Sequence, residues 1–349
     1  MTAGMARSLI RMGVVIALLL VIGWGMLFLV VLPGQYFVGD HSLFGLGLAV
    51  TAFTLGIRHA FDADHIAAID NTTRKLVADG RRPVSVGFWF ALGHSSVVVF
   101  AVSLLAAGLN VLATQRADGG SALATVTGTW GVLVSGFFLM LIGVLNLVSL
   151  QRIWRVFRQM KSGHHDDAQL EKHLNERGLL NRILGPVARR VDKPWKMYPV
   201  GVLFGLGFDT ASEIGLFVIG GSAALVAPWY VVLVLPILFT AGMTLFDTLD
   251  GVLMNRAYEW AYARPVRKVY YNLTVTMMSV AVAFLVGGVG LLGLLNQWLQ
   301  VKSGPVAWFA SINMENFGFV IVGLFLATWL GALGYWKLGR VEERYSTTD

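Results

Sequence analysis

The chain has 349 residues, of which 56% are hydrophobic and only 13% are charged, and its formal net charge is +7. Soluble globular domains carry roughly 25% charged residues, so this composition indicates a membrane protein. The absence of cysteine excludes disulfides, thiolate metal sites and cysteine nucleophiles. The net positive charge does not indicate a nucleic-acid-binding surface.

Eight apolar runs are long enough to cross a bilayer, which takes roughly 17–25 residues in a helix. Spans 1 to 8 are predicted at residues 9–32, 43–67, 84–111, 124–150, 198–225, 229–255, 269–298 and 317–338. The first run resembles a signal peptide, but it is too long and lacks a small-residue cleavage site, so we expect a retained helix. The 40 glycines fit close packing of transmembrane helices. The sequence therefore predicts an all-α polytopic membrane protein.

Basic residues in the connections indicate how the spans are oriented. Lysine and arginine cluster before span 1, after span 8 and in the connections 2–3, 4–5 and 6–7, whereas the other connections hold only Arg116 and Lys302. Such residues stay in the cytoplasm. We therefore expect eight transmembrane helices with both termini cytoplasmic, in one domain over residues 1–349. A seven-span arrangement would put one basic cluster on the wrong side.

A long polar connection at residues 151–196 is predicted to be a cytoplasmic loop between spans 4 and 5. It contains the sequence His164-His165-Asp166-Asp167. This cluster could hold a metal ion transiently at the cytoplasmic mouth. Runs of charge are more often solvated, and we interpret the loop as a tether.

A weak internal repeat relates the two halves of the chain. Phe61-Asp62 in span 2 matches Phe208-Asp209 in span 5, and residues 90–95 in span 3 match residues 239–244 in span 6, at offsets of 147 and 149 residues. By the loop charges, span 2 runs inward and span 5 runs outward. Spans 2–3 and 5–6 would then form an inverted repeat, a transporter architecture with its site near the bilayer midplane. Chance similarity between apolar helices rich in glycine and phenylalanine is the alternative.

Span 2 contains two imidazoles and two carboxylates within seven residues, at His59, Asp62, Asp64 and His65. Ionisable groups at membrane depth are rare and usually line a polar pathway or a site. Histidine with aspartate is also a ligand set for a divalent transition metal ion. The segment therefore indicates a protein that handles a metal ion inside the bilayer. The alternative is a polar cluster that only ties helices together, with Arg58 paired to a carboxylate.

The conformation of span 2 determines which of these histidine and aspartate side chains can lie close together. In a regular helix both histidines and Asp62 share one stripe, because residues three apart are neighbours. Asp64 lies on another face unless the helix is broken. A break could occur at Gly56 or near Asp70-Asn71, where the side chains of Asn71-Thr72-Thr73 can stop or cap a helix.

Spans 3 and 5 carry further polar residues at membrane depth. His94 lies in the middle of span 3 and is either a ligand or a hydrogen-bonded packing residue. Its neighbours Ser95 and Ser96 are expected to form hydrogen bonds between helices. In span 5, Asp209 and Glu213 share a face, where two carboxylates either share a proton or hold a cation between them.

Span 6 has a stripe of residues at steps of four, three and four, formed by Met243, Asp247, Asp250 and Met254. We expect the acidic residues of spans 5 and 6 to line a translocation path, since carboxylates in apolar helices are otherwise difficult to satisfy. The alternative is a structural pair with Arg256 at the inner end of span 6.

The pattern His59-x4-Asp64-His65 resembles the hallmark motif of the nickel/cobalt transporter family (NiCoT). Residues 90–98, 206–214 and 242–251 are similar to the family's other motifs. The four motifs occur in order in spans 2, 3, 5 and 6 of a matching eight-span layout, so the resemblance covers nearly the whole chain.

The resemblance implies a secondary transporter that takes up Ni2+, Co2+ or both with high affinity across the cytoplasmic (inner) membrane. It implies no enzyme activity, no ATPase subunit and no cofactor, with the metal ion as the substrate. Some relatives have a histidine in helix 1 that is tied to metal preference. Span 1 of this chain has none, so the choice between nickel and cobalt stays open.

The motifs and the residue chemistry together give two groups of candidate site residues. The candidate metal ligands are His59, Asp62, Asp64, His65 and His94. The candidates for the translocation path or for orienting the ligands are Arg58, Ser95, Asp209, Thr210, Glu213, Met243, Asp247 and Asp250. Between the two aspartates of span 2, a regular helix favours Asp62 as the ligand, whereas the family motif stresses Asp64.

Two other classes of function use similar residues. A metal exporter or a membrane metal sensor would use the same ligands, because only the family resemblance sets the direction of transport. An intramembrane metalloenzyme, such as a di-iron hydroxylase or a zinc protease, needs more histidines or a His-Glu-x-x-His motif. The chain has three histidines within its spans and no such motif, which disfavours this class.

Overall fold

The computed structural model describes residues 3–38, 42–43, 45–107, 122–161, 191–207, 211–224, 227–262, 265–312 and 317–338. Nearly all of these residues are helical. Apart from short connections, the other described element is one antiparallel ladder between two-residue strands, β1 (Phe37–Val38) and β2 (Ser42–Leu43). The predicted all-α class is therefore confirmed for the described part of the chain.

The helices follow the apolar runs along the chain. The first half contains α1 (Ala3–Met26), a π-helical turn (Leu27–Val31), α2 (Leu32–Gly34), α3 (Leu46–Ala60), α4 (Ala63–Ala78), α5 (Val86–Ala106) and α6 (Ala122–Lys161). The second half contains a 3-10 turn (Pro194–Lys196), α7 (Met197–Gly205), α8 (Ala211–Ala224), α9 (Trp229–Val232), α10 (Val234–Tyr262), α11 (Pro265–Leu299), α12 (Pro305–Ala310) and α13 (Phe317–Leu338).

Five helical segments among the described residues are long and apolar enough to cross a membrane. They are Gly4–Gly34, Val86–Ala106, Gly128–Val148, Trp229–Glu259 and Leu273–Leu299, and they coincide with predicted spans 1, 3, 4, 6 and 7. Three shorter apolar helices, Leu46–Ala60, Gly215–Ala224 and Phe317–Thr328, lie within predicted spans 2, 5 and 8. The chain is thus a helical membrane protein, while the count of eight spans and their orientation stay predictions.

Span 2 is broken into two helices at Phe61-Asp62. Helix α3 ends at Ala60, Asp62 is extended with φ −66° and ψ 141°, and α4 begins at the next residue. The expected positions of a break at Gly56 and near Asp70-Asn71 are therefore wrong. Helix α4 continues to Ala78, and the Asn71 side chain does not stop it but donates to the carbonyl of Ala67 within the same helix.

Span 5 is also interrupted, since α7 ends at Gly205 and the next two residues, Leu206 and Gly207, are not helical. Helix α6, in contrast, continues past the predicted end of span 4 as far as Lys161. The His164-His165-Asp166-Asp167 cluster of the predicted loop lies outside the described residues.

Helix α10 packs closely against α3 through a reciprocal pair of glycines. A methyl group on Gly56 of α3 would clash with the carbonyl of Phe239, and one on Gly242 of α10 would clash with the carbonyl of Phe53. Small residues allow such close approach of transmembrane backbones. The contact holds the last turn of α3, which carries His59, beside the middle of α10.

We expect Gly56→Ala to destabilise the protein by about 1–3 kcal/mol, because the added methyl group overpacks a backbone contact. Gly47→Ala in the same helix is the matched control, since its methyl group would meet open space. The measurement is the thermal unfolding temperature of each purified variant in detergent. Equal unfolding temperatures for the two variants would contradict the close α3–α10 contact.

Candidate metal centre

Three histidine rings form a nearly equilateral triangle inside the helix bundle. His59 lies in the last turn of α3, His65 in the first turn of α4 and His94 in the middle of α5. Their ring centroids are 4.5 Å (59–65), 4.6 Å (59–94) and 4.8 Å (65–94) apart. Each residue is at most 3% exposed. One ring nitrogen from each residue lies within 4.8 Å of the others, so the three can hold one metal ion together.

The break in span 2 brings two of these rings together. In a straight helix, six residues advance about 9 Å along the axis, which is too far for two rings to share one ion. The turn at Phe61-Asp62 shortens this separation, and the centroids of His59 and His65 are 4.5 Å apart. The pairing predicted from a regular helix is therefore found, but it depends on the interruption and not on helical periodicity.

Each imidazole has a carboxylate beside it. Asp62 Oδ2 lies 2.9 Å from Nδ1 of His59, and Asp247 Oδ2 lies 3.4 Å from Nδ1 of His65. Glu213 Oε1 lies 2.7 Å from Nε2 of His94 and 3.9 Å from Nε2 of His59. Carboxylates in such positions fix the tautomer and the orientation of metal-binding histidines.

Two nitrogens and one carboxylate oxygen converge on a single point. Nε2 of His59 lies 2.9 Å from Nε2 of His94, and the latter nitrogen lies 2.7 Å from Glu213 Oε1. Because Nδ1 of His59 faces Asp62, its Nε2 is turned toward the centre of the triangle. The cluster thus presents nitrogen and oxygen donors, the ligand types that suit divalent nickel, cobalt or zinc.

Asp64 has a different environment from Asp62. It lies in the first turn of α4, where its Oδ1 accepts the backbone N–H of His65 at 2.9 Å. A negative side chain at this position also interacts favourably with the helix dipole. The local geometry therefore favours Asp62 as the aspartate that acts on an imidazole, and Asp64 as the residue that stabilises the start of α4.

Several of the remaining candidates of spans 3 and 6 have buried polar atoms. Among the described residues, Asp247 Oδ1 and both carboxylate oxygens of Asp250 are buried without a hydrogen-bond partner, as is Ser95 Oγ. Met243 is fully buried in the core that joins α3, α5 and α10. Ser96 lies 2.8 Å from the Tyr198 hydroxyl, a side-chain hydrogen bond between α5 and α7 of the expected kind. The same expectation for Ser95 is wrong, since its buried hydroxyl has no hydrogen-bond partner among the described residues.

The two arginine candidates lie in α3 and α10. Arg58 is half-buried in the last turn of α3, and Arg256, the alternative partner for the acidic residues, is exposed in α10. Asp209 and Thr210 lie outside the described residues.

A second buried polar cluster was not anticipated as a unit. Asp70 in α4 accepts hydrogen bonds from the hydroxyl of Tyr258 in α10 and from the hydroxyl of Ser279 in α11, the latter at 2.8 Å. One turn later, Arg74 donates to Thr276 in α11 at 2.9 Å. A further hydrogen bond joins Asn146 of α6 to Asn71 of α4. The sequence signal for this cluster is a pair of charged residues four positions apart in an apolar protein, Asp70 and Arg74.

Tyr258→Phe is expected to lower the stability of the protein by about 1–3 kcal/mol, because it leaves an oxygen of the buried Asp70 carboxylate without its donor. Tyr230→Phe is the control, since the Tyr230 hydroxyl lies 3.3 Å from that of Tyr36 at an exposed position. Thermal unfolding in detergent measures both changes. An effect of Tyr258→Phe no larger than that of the control would show that the cluster contributes little.

Comparisons with known proteins agree with this geometry. A family model described as "High-affinity nickel-transport protein" (NicO) matches residues 45–334. The chain is 51% identical over 340 residues to the nickel transporter NicT of Mycobacterium tuberculosis, covering 96% of this chain and 91% of that protein. It is 46% identical over 311 residues to a high-affinity nickel transport protein of Cupriavidus necator, covering 87% and 86%.

A further relative is named for cobalt. The chain is 42% identical over 290 residues to the cobalt transport protein NhlF of Rhodococcus rhodochrous, and the match covers 82% of each chain. No solved structure matches. The motifs that resemble the nickel/cobalt transporters therefore lie within a full-length match, and the chain belongs to the family of high-affinity nickel-transport proteins.

Proposed function

We propose that the protein takes up Ni2+, Co2+ or both across the cytoplasmic membrane as a secondary transporter, through an intramembrane site centred on the break in span 2. The observation that carries this proposal is the buried triangle of His59, His65 and His94. The printed functions of the relatives, nickel transport and cobalt transport, agree with the ligand chemistry.

The spacing of the donor atoms suits a bound divalent ion. Adjacent ligands at about 2.1 Å from a metal and at right angles to each other are about 3.0 Å apart. Nε2 of His59 and Nε2 of His94 are already 2.9 Å apart, and Glu213 Oε1 is 2.7 Å from the latter. An ion would therefore need little rearrangement of these groups, and Asp62 and Asp247 would hold the Nδ1 nitrogens of His59 and His65.

The proposed topology has eight transmembrane helices with both termini in the cytoplasm, in one transporter domain over residues 1–349. Five long and three shorter apolar helices, in the places of the eight predicted spans, support it. The distribution of lysine and arginine supports a cytoplasmic loop at residues 151–196. The membrane we propose is the cytoplasmic (inner) membrane, as the family resemblance implies.

The interruptions in spans 2 and 5 support an inverted repeat. One occurs at Phe61-Asp62, and the other at Leu206-Gly207, directly before the residues that the weak sequence repeat aligns with Phe61-Asp62. Broken helices at corresponding positions of two halves commonly form the ion site of secondary transporters. His59 and Glu213, which flank these interruptions, lie within 3.9 Å of each other. We propose that the halves rock about this point.

The membrane potential supplies a driving force for uptake without ATP. It contributes about 2.3 kcal/mol per charge per 100 mV, and roughly twice that for a dication that enters an inside-negative cell. Nickel or cobalt is the substrate in this mechanism, and neither a cofactor nor an ATPase subunit has a role in it.

Metal accumulation and metal tolerance together test the direction of transport. Cells that express the protein should accumulate more radiolabelled nickel or cobalt than vector controls, and should become more sensitive to the same metal. An exporter would lower accumulation and raise tolerance, whereas a sensor or a metalloenzyme would leave initial uptake rates unchanged. Either of those results would contradict the proposed function.

Uptake should fall as the external and internal pH drop together through the imidazole range, near pH 6.5. An imidazole must be neutral to bind a metal ion, so protonation competes with the substrate. The measurement is initial uptake into proteoliposomes in which a potassium gradient and valinomycin fix the membrane potential. A flat profile from mildly acidic to mildly alkaline pH would contradict a site made of histidines.

A further inference from the structure

Span 8 reaches the break in span 2, although none of the four sequence motifs includes it. Its helix α13 begins with Phe317-Gly318-Phe319, a glycine between two aromatic residues. A methyl group on Gly318 would overlap the carbonyl oxygen of Phe61 and would come within 3.1 Å of the Ile66 side chain. The start of α13 therefore lies directly against the residue at which α3 ends, and also against α4.

The ring of Phe61 is held by aromatic residues of two other helices. It stacks on Phe319 of α13, with ring centroids 4.6 Å apart and an angle of 19° between the planes, and it lies 5.5 Å from the ring of Phe246 in α10. Stacked rings at this separation attract each other beyond the area that they bury. Phe246 directly precedes Asp247, whose carboxylate lies 3.4 Å from Nδ1 of His65. The aromatic contact is thus adjacent to the metal centre.

Helix α13 also packs along the helix that follows the break. Ile321 and Phe325 of α13 belong to the same buried cluster as Ala63 and Ile66 of α4. Helix α13 therefore contacts the chain on both sides of the turn, at Phe61 and along the first turn of α4. Because protein interiors are close-packed and transmit strain, a helix that packs on both sides of a turn fixes the angle between them.

The angle of this turn sets the distance between two of the three histidines. His59 lies two residues before Phe61 and His65 lies four residues after it, and the turn brings their ring centroids to 4.5 Å. The ligands of a functional site must be held within about 0.5 Å of their productive geometry, so a small change of this angle would open the triangle.

We propose that span 8 positions the metal site. Gly318 and Phe319 hold the break in span 2 at the angle that places His59 and His65 on one ion. They act through Phe61, which they contact directly. This inference rests on the proposed function, because it concerns the same site, and it adds positioning residues from a helix outside the motifs.

Gly318→Ala tests the backbone contact, and Gly323→Ala in the same helix is the matched control, because its methyl group would meet open space. Each protein is purified in detergent and titrated with Co2+, and binding is followed by visible absorption. Gly318→Ala should weaken Co2+ binding by about tenfold or more, since groups that orient metal ligands contribute 10–100-fold to affinity. It should also change the absorption spectrum, which depends on the coordination geometry. Gly323→Ala should match wild type in both respects.

Phe319→Ala tests the stacked ring without crowding the backbone, so its result does not depend on whether Gly318→Ala folds. It should weaken Co2+ binding by about tenfold, whereas Phe319→Tyr keeps the ring and should bind within about twofold of wild type. Phe137→Ala removes an exposed ring from α6 and should also bind like wild type.

Thermal unfolding of the same samples separates positioning from packing. If Gly318→Ala and Phe319→Ala lower the unfolding temperature but bind Co2+ with the affinity and spectrum of wild type, span 8 only stabilises the fold and the inference is overturned. Equal binding by Phe319→Ala and Phe319→Tyr would overturn it as well. If wild type itself binds no Co2+, the proposed metal site fails, and the inference fails with it.

Discussion

Replacing His94 with alanine should reduce nickel and cobalt uptake by more than about 100-fold while the protein still inserts into the membrane. The Nε2 atom of His94 lies 2.9 Å from Nε2 of His59 and 2.7 Å from Glu213 Oε1, so its removal takes one donor from the point where the others converge. Loss of a residue that only orients a ligand costs 10–100-fold, and loss of the ligand itself should cost more. The measurement is the initial rate of radiolabelled metal uptake, normalised to the amount of protein in the membrane.

The matched control for this variant is His164→Ala. This histidine belongs to the predicted cytoplasmic loop, which we interpret as a tether, and its removal should leave uptake within about twofold of wild type. Binding of Co2+ to purified protein, followed by its visible absorption, separates a lost ligand from a failure of transport. If His94→Ala were correctly inserted and transported normally, His94 would be a packing residue, and the site would have to be rebuilt without it.

Much of the fold could be predicted from local patterns in the sequence. Apolar runs of the right length predicted helices in the correct places, because a backbone in lipid must satisfy its own hydrogen bonds. The three histidines that cluster could also be predicted as candidate ligands, since a buried ionisable group in a membrane helix is costly and usually belongs to a site. Both inferences need only residue type and position along the chain.

The position of the break in span 2 could not be predicted in this way. Gly56 and Asp70-Asn71 were the residues with local signals, yet Gly56 serves close packing against α10 and Asn71 bonds within its own helix. The actual break, at Phe61-Asp62, is covered by α13, where Gly318 lets one backbone approach the carbonyl of Phe61. That contact joins residues more than 250 positions apart and has no local signature.

The buried cluster around Asp70 escaped prediction for the same reason. Its partners Tyr258 and Ser279 are 188 and 209 residues away along the chain. From the sequence alone, Asp70 would be interpreted as a residue near the end of a membrane span, because the apolar run of span 2 stops shortly before it. Only the packing of α4 against α10 and α11 makes it part of a satisfied internal network.

Asp62→Ala is expected to raise the apparent KM for nickel by about 10–100-fold, because His59 would lose the carboxylate beside its Nδ1. Oδ2 of Asp62 lies 2.9 Å from Nδ1 of His59, and this contact does not require that Asp62 bind the ion itself. Asp62→Asn keeps an oxygen acceptor at the same place and should therefore recover much of the affinity. Concentration-dependent uptake in the same cells gives KM and the maximal rate separately, and the effect should lie mainly in KM.

Asp64→Asn is the matched variant that decides between the two aspartates. The amide oxygen can still accept the backbone N–H of His65, now bonded at 2.9 Å, so this change should cost less than Asp62→Ala. The opposite order, with Asp64→Asn nearly inactive and Asp62→Ala close to wild type, would make Asp64 the ligand that the family motif stresses. In that case the start of α4 would have to unwind when the ion binds, because Asp64 cannot both hold the N–H of His65 and turn its carboxylate into the triangle.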